Sequence, residues 1–266
     1  MSADLETDLA DEFEVDAGGA TGRRAVRGLL GLAAFVGVWA VAARYSPSYV
    51  LPGPLATGET FLTEVRSGRV FGALASSVRH WFWGTVVGTV LGIGLGVTLG
   101  WSGVAEDSAA PLVRLLRPVP PLALTGFAIA WFGINHTGAA FIVAAGALWI
   151  NYYAAYGGVQ SVSDDLLDVA RSLGVRSDVG LIRKVVLPSA SAEILTGIRT
   201  GVGRCWMLII AAETIGVAGV GNRILTAASN LAVDVVIAYI LVMSLVYLVL
   251  DTAFQAVQDR VLRWRA

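Results

Sequence analysis

Among its 266 residues the chain has a single cysteine, a single lysine and two histidines, and only 15% of the sequence is charged. One thiol, Cys205, excludes a disulfide framework. With His80 and His136 as the only imidazoles, no zinc-type metal cluster can be assembled, and no cofactor motif is present. Lys184 follows Arg183 rather than the glycine that a phosphate-binding Walker loop requires, so the chain holds no ATPase site. A soluble domain carries about 25% charged residues; this chain has too few to cover a water-facing surface. The formal net charge of −1 comes without a basic face, which excludes nucleic acid as a partner.

What it has in excess is apolar sequence: 56% hydrophobic residues and a mean hydropathy of +0.69. A helix needs about 20 mostly apolar residues to cross the hydrocarbon core. Sixteen uncharged residues separate Arg27 from Arg44, 26 separate Arg79 from Glu106, and none of the 46 from Pro118 to Ser163 is charged. The last run has room for two spans, with the turn Gly133-Ile134-Asn135-His136-Thr137-Gly138 between them. A fifth span is expected from about Ala192 to Ala212 and a sixth from Asp234 to about Phe254. The expected fold is thus all-α, a polytopic membrane protein of six transmembrane helices.

Basic residues orient the spans. With the N-terminus inside, Arg23, Arg24, Arg27, Arg171, Arg176, Arg183, Lys184, Arg260, Arg263 and Arg265 are cytoplasmic. Arg44, Arg66, Arg69, Arg79 and Arg223 are outside, and Arg114 and Arg117 fall near the inner end of span three. Both termini are therefore expected in the cytoplasm. Seven of the 20 acidic residues lie in the first 16 positions. Residues 1–22 are expected to form a disordered acidic tail, 23–74 the first span and an outer loop, 75–258 the core, and 259–266 a basic tail. Arg23-Arg24 before an apolar run also fits a signal peptide, but the acidic leader favours a retained helix.

Gly84, Gly88, Gly92, Gly96 and Gly100 recur every four residues. In lipid, close backbone approach through small residues supplies helix–helix packing, so this ridge predicts a tightly seated neighbour.

The longest polar stretch between spans, 161–189, has its own organisation. Ser163 is a candidate N-cap, and Asp164 and Asp165 suit the first helical turn. Leu166, Ala170 and Leu173 fall at i, i+4 and i+7 with Leu167 beside them, and Gly174 can stop the helix. Ser177-Asp178 predicts a second start, and Leu187-Pro188 predicts its end. Such an element either binds a protein or lies on lipid headgroups, and periodicity leaves both open.

Here the sequence resembles a known family. Asp168-Val169-Ala170, three residues, Gly174 and then Val186-Leu187-Pro188 resemble the "EAA" loop of binding-protein-dependent ABC importer permeases. Tyr49-Val50-Leu51-Pro52-Gly53-Pro54, Leu116-Arg117-Pro118-Val119-Pro120-Pro121-Leu122-Ala123, Trp131-Phe132-Gly133, Ala211-Ala212-Glu213 and Gly219-Val220-Gly221-Asn222 resemble its nitrate/sulfonate/taurine-type branch. The resemblance covers residues 48 to 258. It implies a type I importer permease whose two-helix loop docks on a cytoplasmic ATPase subunit, with Asp168, Val169, Ala170, Leu173, Gly174, Leu187 and Pro188 in the coupling contact. It also implies a second permease copy (a homodimer) and an extracytoplasmic solute-binding protein. The solute is expected to be a small anion such as nitrate, a sulfonate or taurine; a heterocyclic vitamin precursor is the alternative within the branch. Asp168 stands where the family has glutamate, and Gly174 to Pro188 is one position longer than usual, which predicts a bulge over Ile182 to Val185.

Three charges are candidates for the solute pathway. Arg199 matches a basic position common in the family, where snorkelling or pairing accounts for it. Arg204 lies deeper, where related permeases are apolar, and either offers positive charge to an anion or pairs with a buried acid such as Glu213. Glu213 ends span five, where it shapes an outer gate, meets the binding protein or simply closes the helix.

A rival of another class is an intramembrane serine protease, because Gly100-Trp101-Ser102-Gly103 matches the Gly-x-Ser-Gly of rhomboids. A nucleophilic serine needs a base in reach. His80 lies 22 residues away on the same helix, about 33 Å along it, and His136 falls at the opposite face.

Overall fold

The computed structural model describes residues 26–261, which are helical with no strand among them. The tail expected over 1–22 lies outside these residues, and the helix that ends the described chain runs through the start of the expected basic tail to Val261.

Eleven helices follow one another: α1 (Val26–Arg44), α2 (Pro54–Arg66), α3 (Arg69–Trp101), α4 (Gly103–Leu116), α5 (Thr125–Phe132), α6 (His136–Gln160), α7 (Asp164–Ser172), α8 (Asp178–Leu181), α9 (Leu187–Glu213), α10 (Val220–Ser229) and α11 (Val233–Val261). Their ends are set by local chemistry. Pro54 opens α2, where its missing N–H costs nothing. Gly133, at φ +76, stops α5, and the Asn135 side chain then accepts from the Thr137 and Gly138 N–H groups to start α6.

Five helices are long and apolar enough to cross a membrane: α1, α3, α6, the run Asp178–Glu213, and α11. A broken pair, Gly103–Leu116 with Pro121–Phe132, bent by 88°, is apolar enough when taken together to count as a sixth. The expected third span, starting at Pro118, thus begins earlier and is not straight. Pro118, Pro120 and Pro121 remove three backbone donors in four residues, which breaks the helix where the chain turns. Arg117 therefore sits at this corner rather than near the end of a span.

The centre of the bundle is the α3–α6 pair. Added Cβ atoms on Gly84, Gly88, Gly92 and Gly96 would run into the carbonyl oxygens of Ala140, Ala144, Leu148 and Tyr152 in turn, and one on Gly100 would meet Val159. Both helices advance four residues per contact in the same direction, so they are parallel. A parallel pair requires the chain to return between them, and the broken pair provides that return.

Around this pair α9 and α11 close the core through Ile142, Trp206, Ile209 and Tyr239. Indole N–H groups inside it are satisfied by backbone, Trp81 by the Val202 carbonyl and Trp206 by that of Met243. No residue of α1 is fully buried; its half-buried Trp39 indole donates to the Pro52 carbonyl at 3.0 Å.

Candidate functional site

The loop between α6 and α9 is built as two short helices and a turn. Ser163 occupies the N-cap position of α7 without a side-chain cap, while Ser177 caps α8 by accepting from the Gly180 N–H. At the far end of α7 the Gly174 N–H bonds the Arg171 carbonyl and the Val175 N–H that of Ala170, with Gly174 at φ +92. This is the paired closure of a left-handed helix stop, a conformation that glycine alone adopts freely.

The anticipated stripe Leu166–Ala170–Leu173 is split. Leu167 and Ala170 face inward, and Leu167 packs in a small core with Val159 and Val186, against which Val97 and Trp101 are seated. Leu166, Val169 and Leu173 stay 43%, 56% and 80% exposed and form a second, neighbouring face. A 40° step from Leu166 to Ala170 is enough to carry the latter from one face to the other. Asp168 is exposed beside this face and pairs with Arg171 at 2.8 Å.

Leu187-Pro188 does not end the second segment. The helix continues unbroken from Asp178 to Glu213, because Ile182–Val186 form a π turn immediately before Pro188. A proline ring clashes with the carbonyl four residues earlier; a wider turn just before it relieves that clash and takes up one extra residue. The bulge expected from the longer Gly174–Pro188 spacing is found at these positions.

At the opposite end of α3 lies a buried polar cluster. Glu213 is wholly buried; its carboxylate accepts from Ser77 Oγ at 3.0 Å and from the Gly221 N–H at 2.7 Å, and meets His80 Nδ1 at 2.9 Å. Ser77 Oγ in turn accepts from the Val220 N–H, and His80 Nε2 contacts His136 Nδ1. A Cβ on Gly219 would overlap the Glu213 carboxylate. Glu213 is thus the clasp that holds the start of α10 on α3. With both its oxygens engaged and no exposed surface, it is taken up in packing rather than presented at the helix end.

A second clasp centres on Glu64, 4% exposed, which binds the Arg223 and Arg69 guanidinium groups at 3.1 Å and accepts from the Tyr239 hydroxyl at 2.9 Å. Tyr239 and Glu64 together raise the pKa of Arg223 against the opposing effect of burial. Nothing in the local sequence marks Glu64, since its partners lie in α3, α10 and α11.

The two arginines of α9 differ in kind. Arg199 forms a fork with Asp251 of α11, with Nε and Nη2 at 3.2 and 3.1 Å from Oδ1. Arg204 makes no ion pair with any described residue. It is exposed and lines an open groove of about 350 Å³ with Arg117, also exposed, whose guanidinium carbon lies 4.8 Å from the centre of the Tyr153 ring. The alternative pairing of Arg204 with Glu213 is excluded by the clasp. Ser102 is the N-cap of α4, accepting from the Ala105 N–H, while both histidines belong to the clasp at the other end of α3.

Comparison with known proteins agrees with this architecture. Residues 84–263 match the family described as "binding-protein-dependent transport system inner membrane component". A putative ABC transporter permease of Methanocaldococcus jannaschii is 37% identical over 63% of this chain and 63% of its own length. A putative aliphatic sulfonates transport permease of Bacillus subtilis is 32% identical over 90% of this chain and 88% of its own. Among solved structures, an inward-facing MetNI methionine ABC transporter superposes with a TM-score of 0.63 at 16% identity, covering 70% of this chain and 93% of that one.

Proposed function

The chain belongs to the family of binding-protein-dependent transport system inner membrane components, and from that membership we propose that it forms the pathway for a small anion in an ABC importer of the cell membrane. It is a multi-pass, non-enzymatic subunit, and ATP hydrolysis is the work of a separate protein. A solute-binding protein on the outside delivers the solute, two copies of this chain enclose the pathway, and both termini lie in the cytoplasm.

Energy enters through residues 161–189. The observation that carries this reading is the face of Leu166, Val169 and Leu173, left open on a helix whose other face is anchored to the inner core. Fully burying a leucine or valine side chain stabilises by roughly 1.5–3 kcal/mol, so a groove in an ATPase subunit that accepts three of them gains several times the thermal energy. Asp168, Val169, Ala170, Leu173 and Gly174 make or shape this contact, and Leu187 and Pro188 join it to α9. ATP binding draws the two docking helices together, and rigid-body rotation of the helices switches the pathway between its two openings.

The anion class is supported by the sulfonate permease among the relatives. The deciding experiment places a photo-cross-linker at Leu166 or Leu173 in the assembled complex. Capture of the ATPase subunit supports docking; capture of lipid alone refutes it. Purified without partners, the chain hydrolyses no ATP, and Gly174→Val in the complex leaves hydrolysis running while uptake is lost.

A further inference from the structure

The acids that tie these helices together are matched in two ways. Glu64 is met by the guanidinium groups of Arg69 and Arg223, and Asp251 by that of Arg199. A guanidinium stays charged at any pH the protein meets. Glu213, with no exposed surface, is met instead by the imidazole of His80, whose side chain is equally buried. Imidazole is the side chain whose ordinary titration falls between about pH 5 and 8.

The hydrogen bonds fix where the protons sit. A carboxylate only accepts, and Glu213 accepts from Ser77 Oγ, the Gly221 N–H and His80 Nδ1. With Nδ1 donating, the neutral His80 ring has Nε2 as an acceptor, so His136 Nδ1 is the donor in the contact between the two rings. His136 Nε2 is then left as an acceptor with no partner among the described residues. The His136 ring is exposed and lines an open groove of about 350 Å³ with Arg79, Trp83, Phe132 and Phe141.

We propose that His136, His80 and Glu213 form a proton-sensing clasp, which fastens α10 on α3 more tightly as the pH at this end of the bundle falls. A proton taken up at His136 Nε2 from the groove is balanced by transfer of the Nδ1 proton to His80 Nε2. His136 stays neutral, with its hydrogen now on Nε2 and its Nδ1 accepting. His80 becomes an imidazolium that keeps its Nδ1–H on Glu213. Two flanking charges place the positive charge on the inner ring: Glu213 beside His80 attracts it, and Arg79 beside the groove with His136 repels it. No other charge faces the cluster from the packed elements. From α10 come only the Val220 and Gly221 N–H groups, Arg223 being turned to Glu64; α5 supplies Phe132, and α6 adds Thr137. The added proton turns a buried carboxylate without a cation into a hydrogen-bonded ion pair, and bonds assisted by charge are the stronger ones. A clasp that is tighter with the proton than without it gains hold as pH falls and loses it as pH rises.

His80 and His136 are the only histidines of the chain, so nuclear magnetic resonance of the full chain, isotopically labelled at its histidine nitrogens and held in lipid nanodiscs with a histidine-free tag, reads both rings. Between about pH 8 and about pH 5 the two rings titrate together with one shared midpoint. His80 Nε2 gains a hydrogen, while on His136 the hydrogen passes from Nδ1 to Nε2. If His136 takes up the proton alone and becomes the imidazolium, with His80 Nε2 still an acceptor, the relay is overturned. Hydrogen exchange of residues 219–229 is followed over the same range beside His80→Asn, whose amide keeps an N–H for Glu213 but cannot become a cation. Relative to the variant at each pH, exchange in the wild type slows severalfold on acidification. The same pH dependence in both overturns the clasp as a sensor. The ring titration is read on the wild type alone and decides the matter where His80→Asn does not fold.

Discussion

A Cβ on Gly84 would stand 2.6 Å from the carbonyl oxygen of Ala140, closer than real side-chain carbons approach any atom. The same relation repeats down α3 and α6, so the two backbones touch along four turns. With no hydrophobic drive between helices in lipid, this contact is what holds the centre of the bundle together.

Gly88→Leu is therefore expected to prevent assembly. Overpacking a tight interface costs about 1–3 kcal/mol when side chains can shift, and here the obstacle is the backbone of Ala144. Gly94→Ala, on the same helix with nothing within 4 Å of the new methyl group, is the control and leaves assembly unchanged. Size-exclusion chromatography of the detergent-solubilised complex after a temperature series distinguishes them.

Breaking the Glu213 clasp should destabilise the protein without altering solute affinity. Leaving a buried hydrogen-bonding group unsatisfied costs about 1–3 kcal/mol. Glu213→Ala leaves His80, Ser77 and the Gly221 N–H without their acceptor. Thermal unfolding falls by several degrees, while KM for uptake in whatever fraction remains assembled is that of the wild type. A raised KM would place Glu213 in the pathway after all.

At Gly174 the side chain is excluded by conformation rather than by space, since no atom lies within 4 Å of an added Cβ. A left-handed residue other than glycine costs roughly 1–2 kcal/mol, with asparagine the best tolerated. Gly174→Val should thus impair ATP-driven uptake far more than Gly174→Asn, although both place a side chain at the same point. Equal impairment would mean that bulk against the ATPase, and not the helix stop, is what matters.

Arg199→Gln is expected to be mild. The pair with Asp251 is 38% and 27% exposed, and such pairs contribute about 1 kcal/mol or less once screening is counted. Uptake assays should return an unchanged KM and a slightly lowered transition temperature.

The helices themselves were legible because their signals are local: charge-free runs long enough to cross a bilayer, the Gly133–Asn135 stop and start, the four-residue glycine repeat. The 161–189 loop is legible in outline, with its two starts and the glycine stop, but the stripe along α7 is split between two faces. Periodicity alone gives an apolar arc, not the point on it where Val159 and Val186 press. The prolines at 118, 120 and 121 mark the corner, which the length of the charge-free run alone does not show. Partners far apart in the chain were invisible. Glu213 and His80 are separated by 133 positions and Arg223 and Glu64 by 159, so neither clasp leaves a mark in any window of sequence.

The π turn at Ile182–Val186 has a mechanical consequence. Because it splices rather than severs, one rod of 36 residues, about 54 Å at the usual rise, has α8 at its foot and the Glu213 latch at its head. Under the proposed function, a push at the α8 end would be carried along this single run toward the fastening of α10.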